Sequence, residues 1–267
     1  MKAEQPKGQA GTPGFQVFAV TGMPMVKAGD DLATLLIEAL AGSGLALQEG
    51  DCLCLAQKIV SKAEGRLVPL ADVTPSPEAV ALAEETDKDP RLVELILSES
   101  TDLLRKKPGV LIMRHRLGLV GAHAGVDQSN IDHGNGEAAL LLPVDPDASA
   151  ARVRNAIRDR LGIDVGVIIT DSANRPWRLG TVGIAIGAAG ITVLEDHRGG
   201  RDIYARELKV TLINRADAMA GAATLVMGET SERVPAAVVR GLPLTVGGAG
   251  GQQAAVINRP LEEDLFR

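Results

Sequence analysis

The stretch that most constrains the fold is GVIITDSANRPWRLGTVGIAIGAAG, residues 166–190. Its first half is a short apolar run that ends at Asp171 and Ser172, which indicates a buried strand with polar groups at its carboxyl end. Its second half is rich in glycine, but the glycines are not spaced as GxGxxG and do not open a strand–turn–helix unit. We therefore expect this run to pack closely against a helix, because glycine lets two backbones approach each other.

Hydrophobic periodicity divides the remaining sequence into strands and helices. Strands are expected at 15–20, from 51 onwards, as a hairpin-like pair within 109–127, and at 165–170, 207–213 and 236–244. Helices are expected after Asp30 and Asp31, over 76–107 in two pieces separated by Pro90, over 146–161 with a cap near Asp147 or Ser149, and over 216–227. Hairpins mixed with crossover helices predict an α+β (mixed α/β) fold and not a regular doubly wound sheet.

Residues 15–267 are expected to form a single domain, with two subdomains as the alternative, and the polar segment 1–14 reads as a disordered tail. Only 2% of the residues are aromatic although 45% are hydrophobic, so the core must be built from aliphatic side chains. Cys52 and Cys54 are interpreted as small core residues. The segment GGAGG at 247–251 lacks the following Lys-Ser/Thr of a phosphate loop and reads as a flexible surface loop.

The charge of the chain excludes several classes of partner. A net charge of −6 argues against broad binding to nucleic acid or to an anionic membrane. No apolar run approaches the roughly 20 residues of a membrane span, and the amino terminus lacks the apolar region of a signal peptide. We expect a cytoplasmic protein without a nucleic-acid or membrane partner.

Acidic and hydroxyl residues follow three apolar segments: Asp127 and Asn130, then Asp171 and Ser172, then Glu229. Their oxygen atoms are hard ligands, suited to Mg²⁺ or Mn²⁺ held between protein and phosphate. Each residue alone is more typical of a turn or a helix cap. The recurrence of the pattern at three places favours a metal site.

Basic residues form a second group. Lys58, Lys62 and Arg66 recur every four residues, and Arg175 and Arg178 flank the only tryptophan. Such cations can neutralise a polyphosphate, although a solvated charged face is the alternative. The sequence contains neither the P-loop motif GxxxxGK[ST] nor HExxH. The residues by themselves predict a phosphate-handling enzyme of unspecified type.

Several longer segments, taken in order, are similar to one known family. They run from about residue 15 to 245 and include VTGMPMVKAGDDL, AQKIVSKAEGRLV, KDPRLVELIL, LGLVGAHAGVDQSN, LLPVDPDASA, GVIITDSANRPWRLGTVGIAIGAAGI, RDIYARELKVT and VPAAVVRGL. In this order they resemble the coenzyme F420-0:γ-glutamyl ligases (the CofE family), including the ligase domain that some bacteria fuse to a second domain.

The resemblance implies a mixed fold of the family's own, without a P-loop, assembled as an intertwined homodimer. It also implies a GTP-dependent ligase that adds L-glutamate to the deazaflavin precursor and then lengthens a γ-linked glutamate tail. In such an enzyme the acceptor carboxylate takes the γ-phosphoryl group to give an acyl phosphate. The glutamate amine then displaces phosphate, leaving an amide and GDP.

The resemblance also assigns site residues. The metal ligands would be Asp127, Asp171, Ser172 and Glu229, for two Mg²⁺ or Mn²⁺ ions with K⁺ as a further cofactor. Lys62 and Arg178 would be the catalytic cations. The residues that would bind GTP are Met23, Pro24, Met25, Val26, Gln57, Lys58, Lys62, Asn130, Met227, Gly228, Glu229, Thr230, Ser231, Glu232, Arg233 and Val234.

The chain departs from the family at two places. Ser172 stands where the family commonly has threonine, which keeps the oxygen ligand but frees its rotamer. The segment ETSER differs from the glycine-rich form of some members, which weakens the assignment of 229–233. Arg175 and Arg178 would face phosphates of the nucleotide or of the acceptor. Packing under its loop is the favoured role for Trp177, and a flat surface for the deazaflavin ring is the alternative.

Two other functions compete with the ligase. A metal-dependent phosphohydrolase could use the same acidic residues and would release phosphate without an acceptor. A non-catalytic nucleotide-binding or assembly module would have lost ligands, yet Asp127, Asp171, Glu229 and Lys62 are all present.

Overall fold

The protein is described by a computed structural model that covers residues 14–134, 136–174, 176–245 and 251–265. The strands and α-helices of these residues, in chain order, are β1 Gln16–Val20, α1 Leu32–Gly42, β2 Cys52–Ala56, α2 Gln57–Ala63, β3 Leu67–Pro69, α3 Pro77–Thr86, α4 Pro90–Ser98, β4 Ser100–Lys107, β5 Val110–His115, β6 Val120–Ala122, β7 Ala138–Leu140, α5 Pro146–Leu161, β8 Gly166–Asn174, β9 Thr181–Ala189, β10 Leu194–Asp196, β11 Leu212–Asn214, α6 Arg215–Met227 and β12 Ala236–Arg240.

The largest sheet has the strand order β1-β12-β2-β8-β9. Strands β2 and β8 are parallel, and the other neighbours are antiparallel. Its middle strands are buried on both faces, as their uninterrupted apolar sequences predict. The mixed α/β class expected from the sequence is confirmed.

Alternation along β2 assigns its side chains to two cores. Leu53 and Leu55 pack with α1 and α5 on one face of the sheet, whereas Cys52 and Cys54 pack with α6 on the other. Both cysteines are buried free thiols, so their interpretation as core residues is confirmed.

The glycines of β9 permit two helices to approach this strand. A Cβ atom on Gly183 would lie 2.6 Å from the Ala220 carbonyl oxygen of α6, and one on Gly187 would lie 2.4 Å from the Pro146 carbonyl oxygen of α5. A register shift at Ile186 separates the two glycines, so that they face different helices. The predicted close packing against a helix is confirmed.

The described residues also form three smaller sheets: β4-β5-β6, β3-β7 and β10-β11. Helices α3 and α4 share a third apolar core with β5, and its buried residues include Leu82, Ile96, Leu111 and Met113.

The expected helix over 91–107 is wrong in its second half. Helix α4 ends at Ser98, and residues 100–107 form β4, which pairs antiparallel with β5 across a turn at 108–109. The Pro-Gly pair at this turn is a hairpin signal, and pairing with a neighbouring strand decides the conformation of the polar segment before it.

The helix caps differ in part from the sequence prediction. Asp31 caps α1 as expected, but α5 is capped by Asp145, whose carboxylate accepts from the Ala148 N–H at 2.9 Å. Asp147 instead accepts from the N–H groups of Ala188 and Ala254, so its charge serves tertiary contacts. The strands expected at 207–213 and 236–244 are shorter, as β11 and β12.

Several expectations concern residues outside the described ranges: the tail over 1–13, Arg175, and the GGAGG segment over 247–250. Of the helices that are described, none combines the length and apolar character that a bilayer crossing requires.

Candidate functional site

A cavity of about 820 Å³ lies at the carboxyl ends of β2 and β8. Ala56, the last residue of β2, is the register partner of Thr170, and β8 continues past this edge to Asn174 as a hairpin with β9. Such an edge is a common ligand site in sheets with parallel strands. The cavity is lined by five stretches of chain: residues 23–26, 56–62, 130–132, 170–172 and 224–235.

The structure brings most of the predicted site residues together. All residues predicted to bind GTP line this cavity, as do three of the four predicted metal ligands, Asp171, Ser172 and Glu229. Asp127 lies behind the lining and contacts it through Lys58. Arg178 is exposed and does not line the cavity, and Arg175 lies outside the described residues.

Lys58 and Asp127 form an ion pair across 69 residues of sequence. The ammonium group of Lys58 also donates to the Ser129 hydroxyl at 3.1 Å, and the Asp127 carboxylate accepts from the Ser129 N–H at 2.7 Å. Burial opposes ionisation of Asp127, but the hydrogen bond from Lys58 and that from the Ser129 N–H outweigh it and lower the pKa of the carboxyl. Asp127 is therefore held as a carboxylate.

Asp171 shows the opposite behaviour. Burial at the cavity wall raises the pKa of its carboxyl to about 6, and the negative charges of Asp127 and Glu229 add to this, while the Ser172 N–H and the charge of Lys58 work against it. The Ser172 hydroxyl donates to the Glu229 carboxylate. The carboxyl groups of Asp171 and Glu229 thus line one edge of the cavity, with Asp127 behind it, and the charges of Asp127 and Glu229 oppose ionisation of Asp171.

This donor set has the chemistry of a divalent-cation site, because carboxylate and hydroxyl oxygens are the ligands that Mg²⁺ and Mn²⁺ prefer. In the part of the chain that is described, however, no three His, Cys, Asp or Glu side chains converge on one point as a formed metal centre. Lys58 and Ser172 engage Asp127 and Glu229 instead.

Lys62 supplies a second positive charge to the cavity. Its ammonium group donates to the Asn130 carbonyl oxygen at 2.8 Å. Burial lowers the pKa of Lys62, the positive charge of Lys58 lowers it further, and Asp132 offsets part of the effect. Two ammonium groups close enough to repel each other favour an anionic ligand between them.

Asn130 connects two walls of the cavity. Its backbone is left-handed with a φ of 55°, a conformation that asparagine tolerates, and its side-chain amide donates to the Thr230 carbonyl oxygen at 3.1 Å. Beyond it, the Glu232 carboxylate accepts from the Thr230 N–H at 2.8 Å and folds over Gly228. The two loops therefore meet at the cavity.

Some lining residues were not predicted from the sequence: Ala56, Ile59, Ile131, Asp132, Thr170, Thr224 and Pro235. Thr224 lies nearly one helical turn before Met227, so helix periodicity could have placed it on the same face. Residues 131 and 132 had no local signal, because their position depends on the contact between Asn130 and the distant Thr230.

Two predicted roles need correction. Arg66 does not line the cavity. Its guanidinium pairs with the buried Glu99 carboxylate at 2.9 Å. Trp177 does not pack under its loop, since 81% of its surface is exposed. The tip of the β8–β9 hairpin extends past the sheet and offers no core to an indole.

Comparison with known proteins defines the class of this chain. The sequence model of the F420-0:gamma-glutamyl ligase family matches residues 22–241. The chain is 46% identical over 258 residues to the coenzyme F420:L-glutamate ligase of Methanopyrus kandleri, covering 96% of this chain and 99% of that protein. It is 44% identical to the protein of the same name from Methanothermobacter thermautotrophicus, with coverage of 95% and 99%. The protein of that name from Methanocaldococcus jannaschii is 39% identical, with coverage of 92% and 94%.

The fold, the charged cavity and these matches define a ligase. The chain belongs to the F420-0:gamma-glutamyl ligase family.

Proposed function

We propose that the protein is a GTP-dependent ligase that joins L-glutamate to coenzyme F420-0 through an amide bond and then extends a γ-linked glutamate chain. The observation that carries this proposal is one cavity lined by Lys58, Lys62, Asp171 and Glu229, with Asp127 held behind its wall by Lys58. The chain that forms it is closely related to named coenzyme F420:L-glutamate ligases.

A carboxylate is a poor electrophile, so the acceptor must be activated before an amine can attack it. In the proposed reaction an acceptor carboxylate oxygen attacks the γ-phosphorus of GTP, and the bond to the β-phosphate oxygen breaks, giving an acyl phosphate and GDP. The glutamate amine then attacks the acyl carbon, a proton leaves the nitrogen, and inorganic phosphate departs with its bonding electrons.

The two lysines of the cavity act on the phosphates in this scheme. Lys62 and Lys58 neutralise negative charge on the β- and γ-phosphates, and Lys62 acts as the catalytic cation. Lys58 would exchange Asp127 for phosphate when the nucleotide enters. Asn130 and the loop 227–234 close over the nucleotide, while Gln57 and the apolar segment 23–26 contact its remaining surface.

Asp127, Asp171, Ser172 and Glu229 would hold two divalent ions, Mg²⁺ or Mn²⁺, with K⁺ as a further cofactor. Bound there, the ions would spread the charge that accumulates between the γ-phosphate and the attacking oxygen. The carboxyl residues are held by the fold: Asp171 lies within β8, Asp127 bridges Leu140, and Glu229 follows α6.

We also propose a cytoplasmic homodimer. The segment 197–211 between β10 and β11 supports a second copy as partner, because it carries large apolar side chains that are mostly exposed. The exposed fraction is 91% for Ile203, 79% for Tyr204 and 85% for Val210.

The test is a mass-spectrometric endpoint assay with GTP, Mn²⁺ or Mg²⁺, L-glutamate and F420-0. We expect mass increments equal to glutamyl residues, with loss of at least about 100-fold in product for Asp171→Asn, the scale of losing one transition-state contact. The control is Asp159→Asn, which removes an exposed carboxylate that does not line the cavity.

Release of phosphate without any glutamylated product would contradict the ligase and favour the metal-dependent phosphohydrolase. Equal product from Asp171→Asn and the wild type would show that Asp171 has no part in the reaction.

A further inference from the structure

The tip of the β8–β9 hairpin, residues 176–180, has an unusual combination of features. Trp177 and Leu179 expose 81% and 104% of their surface, and Arg178 between them is exposed as well. The backbone of Trp177 is left-handed, with a φ of 60°. A bulky residue in this region is strained, and strain of this kind clusters at ligand sites.

The hairpin connects this tip to the cavity. Ser172, which lines the cavity, is paired with Gly183, and the last register pair before the tip is Asn174 with Thr181. At about 3.3 Å per residue, the tip begins about 7 Å beyond Ser172. A ligand with one end at Asp171 and Ser172 can therefore reach the tip with its other end.

Aromatic side chains are scarce, which makes the position of this indole informative. The chain has one Trp, one Tyr and three Phe. Phe15 and Phe18 belong to the region of β1, where Arg240 lies over the Phe18 ring, and Tyr204 lies on the turn between β10 and β11. Of the aromatic residues in the described ranges, only Trp177 lies on a hairpin whose strand, β8, also lines the cavity.

We propose that the hairpin tip is the acceptor subsite: the Trp177 indole stacks on the planar deazaflavin ring of F420-0, and Arg178 pairs with its phosphodiester. This inference rests on the proposed function, which places the reacting carboxylate of the acceptor beside Asp171 and Ser172. The acceptor carries its anionic phosphodiester between that carboxylate and the ring. A guanidinium next to an indole matches this pair of groups in charge and in shape.

The first experiment measures steady-state kinetics of Trp177→Leu, Trp177→Phe and Arg178→Gln. Stacking on an aromatic side chain contributes about 1–3 kcal/mol per base-sized ring, so we expect the acceptor KM of Trp177→Leu to rise about 5- to 150-fold. The KM for GTP stays within about twofold, Trp177→Phe recovers most of the loss, and Arg178→Gln also raises the acceptor KM.

The matched control is Phe15→Leu, which removes a half-exposed ring that does not line the cavity. Its acceptor KM should equal that of the wild type. An unchanged acceptor KM in Trp177→Leu, or an equal rise for GTP and acceptor, overturns the proposal.

Equilibrium dialysis of F420-0 measures binding without catalysis, so it separates this inference from the proposed function. A Kd raised by the same factor in Trp177→Leu supports the subsite even if the wild type forms no glutamyl product. Equal Kd values, or no binding of F420-0 by the wild type, overturn it.

Light scattering tests whether a second copy covers the tip instead. We expect the same particle mass for Trp177→Leu and the wild type. A mass that falls to half in the variant assigns the indole to an interface between copies and overturns the subsite.

Discussion

A buried ion network joins the segment after α2 to the end of α4 and to β5, and it gives a quantitative prediction. The Glu99 carboxylate is 7% exposed and accepts a hydrogen bond from His115 Nε2 at 3.3 Å, and it pairs with Arg66 at 2.9 Å and Arg116 at 3.2 Å. His115 Nδ1 accepts from the Leu117 N–H at 2.9 Å, which leaves the ring proton on Nε2. Because Arg66 follows the helix that carries Lys58 and Lys62, the network supports one wall of the cavity.

The structure sets the size and pH range of this contribution. Burial opposes ionisation of Glu99, but the hydrogen bonds from His115 and Arg66, with the charges of Arg66 and Arg116, lower its pKa from 4.5 to about 2. At 1.36 kcal/mol for each pH unit between the two values, ionised Glu99 contributes about 3 kcal/mol to the free energy of unfolding. A lowered pKa means that this contribution is complete above about pH 5 and is lost as the pH falls from 4.5 towards 2.

The perturbation is Glu99→Gln, which keeps the shape but removes the charge. Urea unfolding of wild type and variant should differ by about 3 kcal/mol at pH 7 and by about 1 kcal/mol near pH 3. Near pH 3 the carboxyl of the unfolded wild type is protonated, so only the part of the shift between pH 3 and the native pKa of about 2 still contributes. Other carboxylates titrate equally in both proteins and cancel in the difference. A gap that does not change with pH would refute the electrostatic reasoning, and no gap at pH 7 would refute the network.

Three further outcomes follow from the structure. Gly187→Ala should destabilise the fold by about 1–3 kcal/mol in urea unfolding, because its methyl group would overlap the Pro146 backbone. The control Gly121→Ala places its methyl group where no atom lies within 4 Å, so its free energy of unfolding should stay within about 0.5 kcal/mol of the wild type, and equal effects would contradict the packing argument. Asp145→Ala should cost about 1 kcal/mol through loss of the α5 cap, and an unchanged midpoint would show that the cap does not contribute. Lys62→Met should lower kcat for glutamyl product by about 10²–10³-fold with little change in thermal unfolding, and a raised GTP KM at normal kcat would limit Lys62 to binding.

Local sequence patterns determined much of this protein. The apolar runs of β2 and β8, the periodicity of α1, α5 and α6, and the Asp31 cap each follow from side chains close in sequence. The polar residues that follow the apolar runs were also visible, although Asp171 and Ser172 lie within β8, which continues to Asn174, and not after its end as the sequence predicted. Family resemblance then named the residues that line the cavity.

Contacts between distant segments needed the tertiary structure. β4 is a strand because β5 lies beside it, and Asp145 caps α5 because Asp147 is occupied by backbone from β9 and from residue 254. The cavity itself depends on Lys58 meeting Asp127 across 69 residues and Asn130 meeting Thr230 across 100.

The exposed indole of Trp177 shows the same division. The sequence identified a single tryptophan between two arginines, and a unique indole is usually buried. Only the length of the β8–β9 hairpin decided otherwise, since its tip projects past the sheet where no core can cover it. Sequence determines which side chains a segment offers, and the packing of distant elements decides which of them meet, because local propensities are weak compared with burial and pairing between segments.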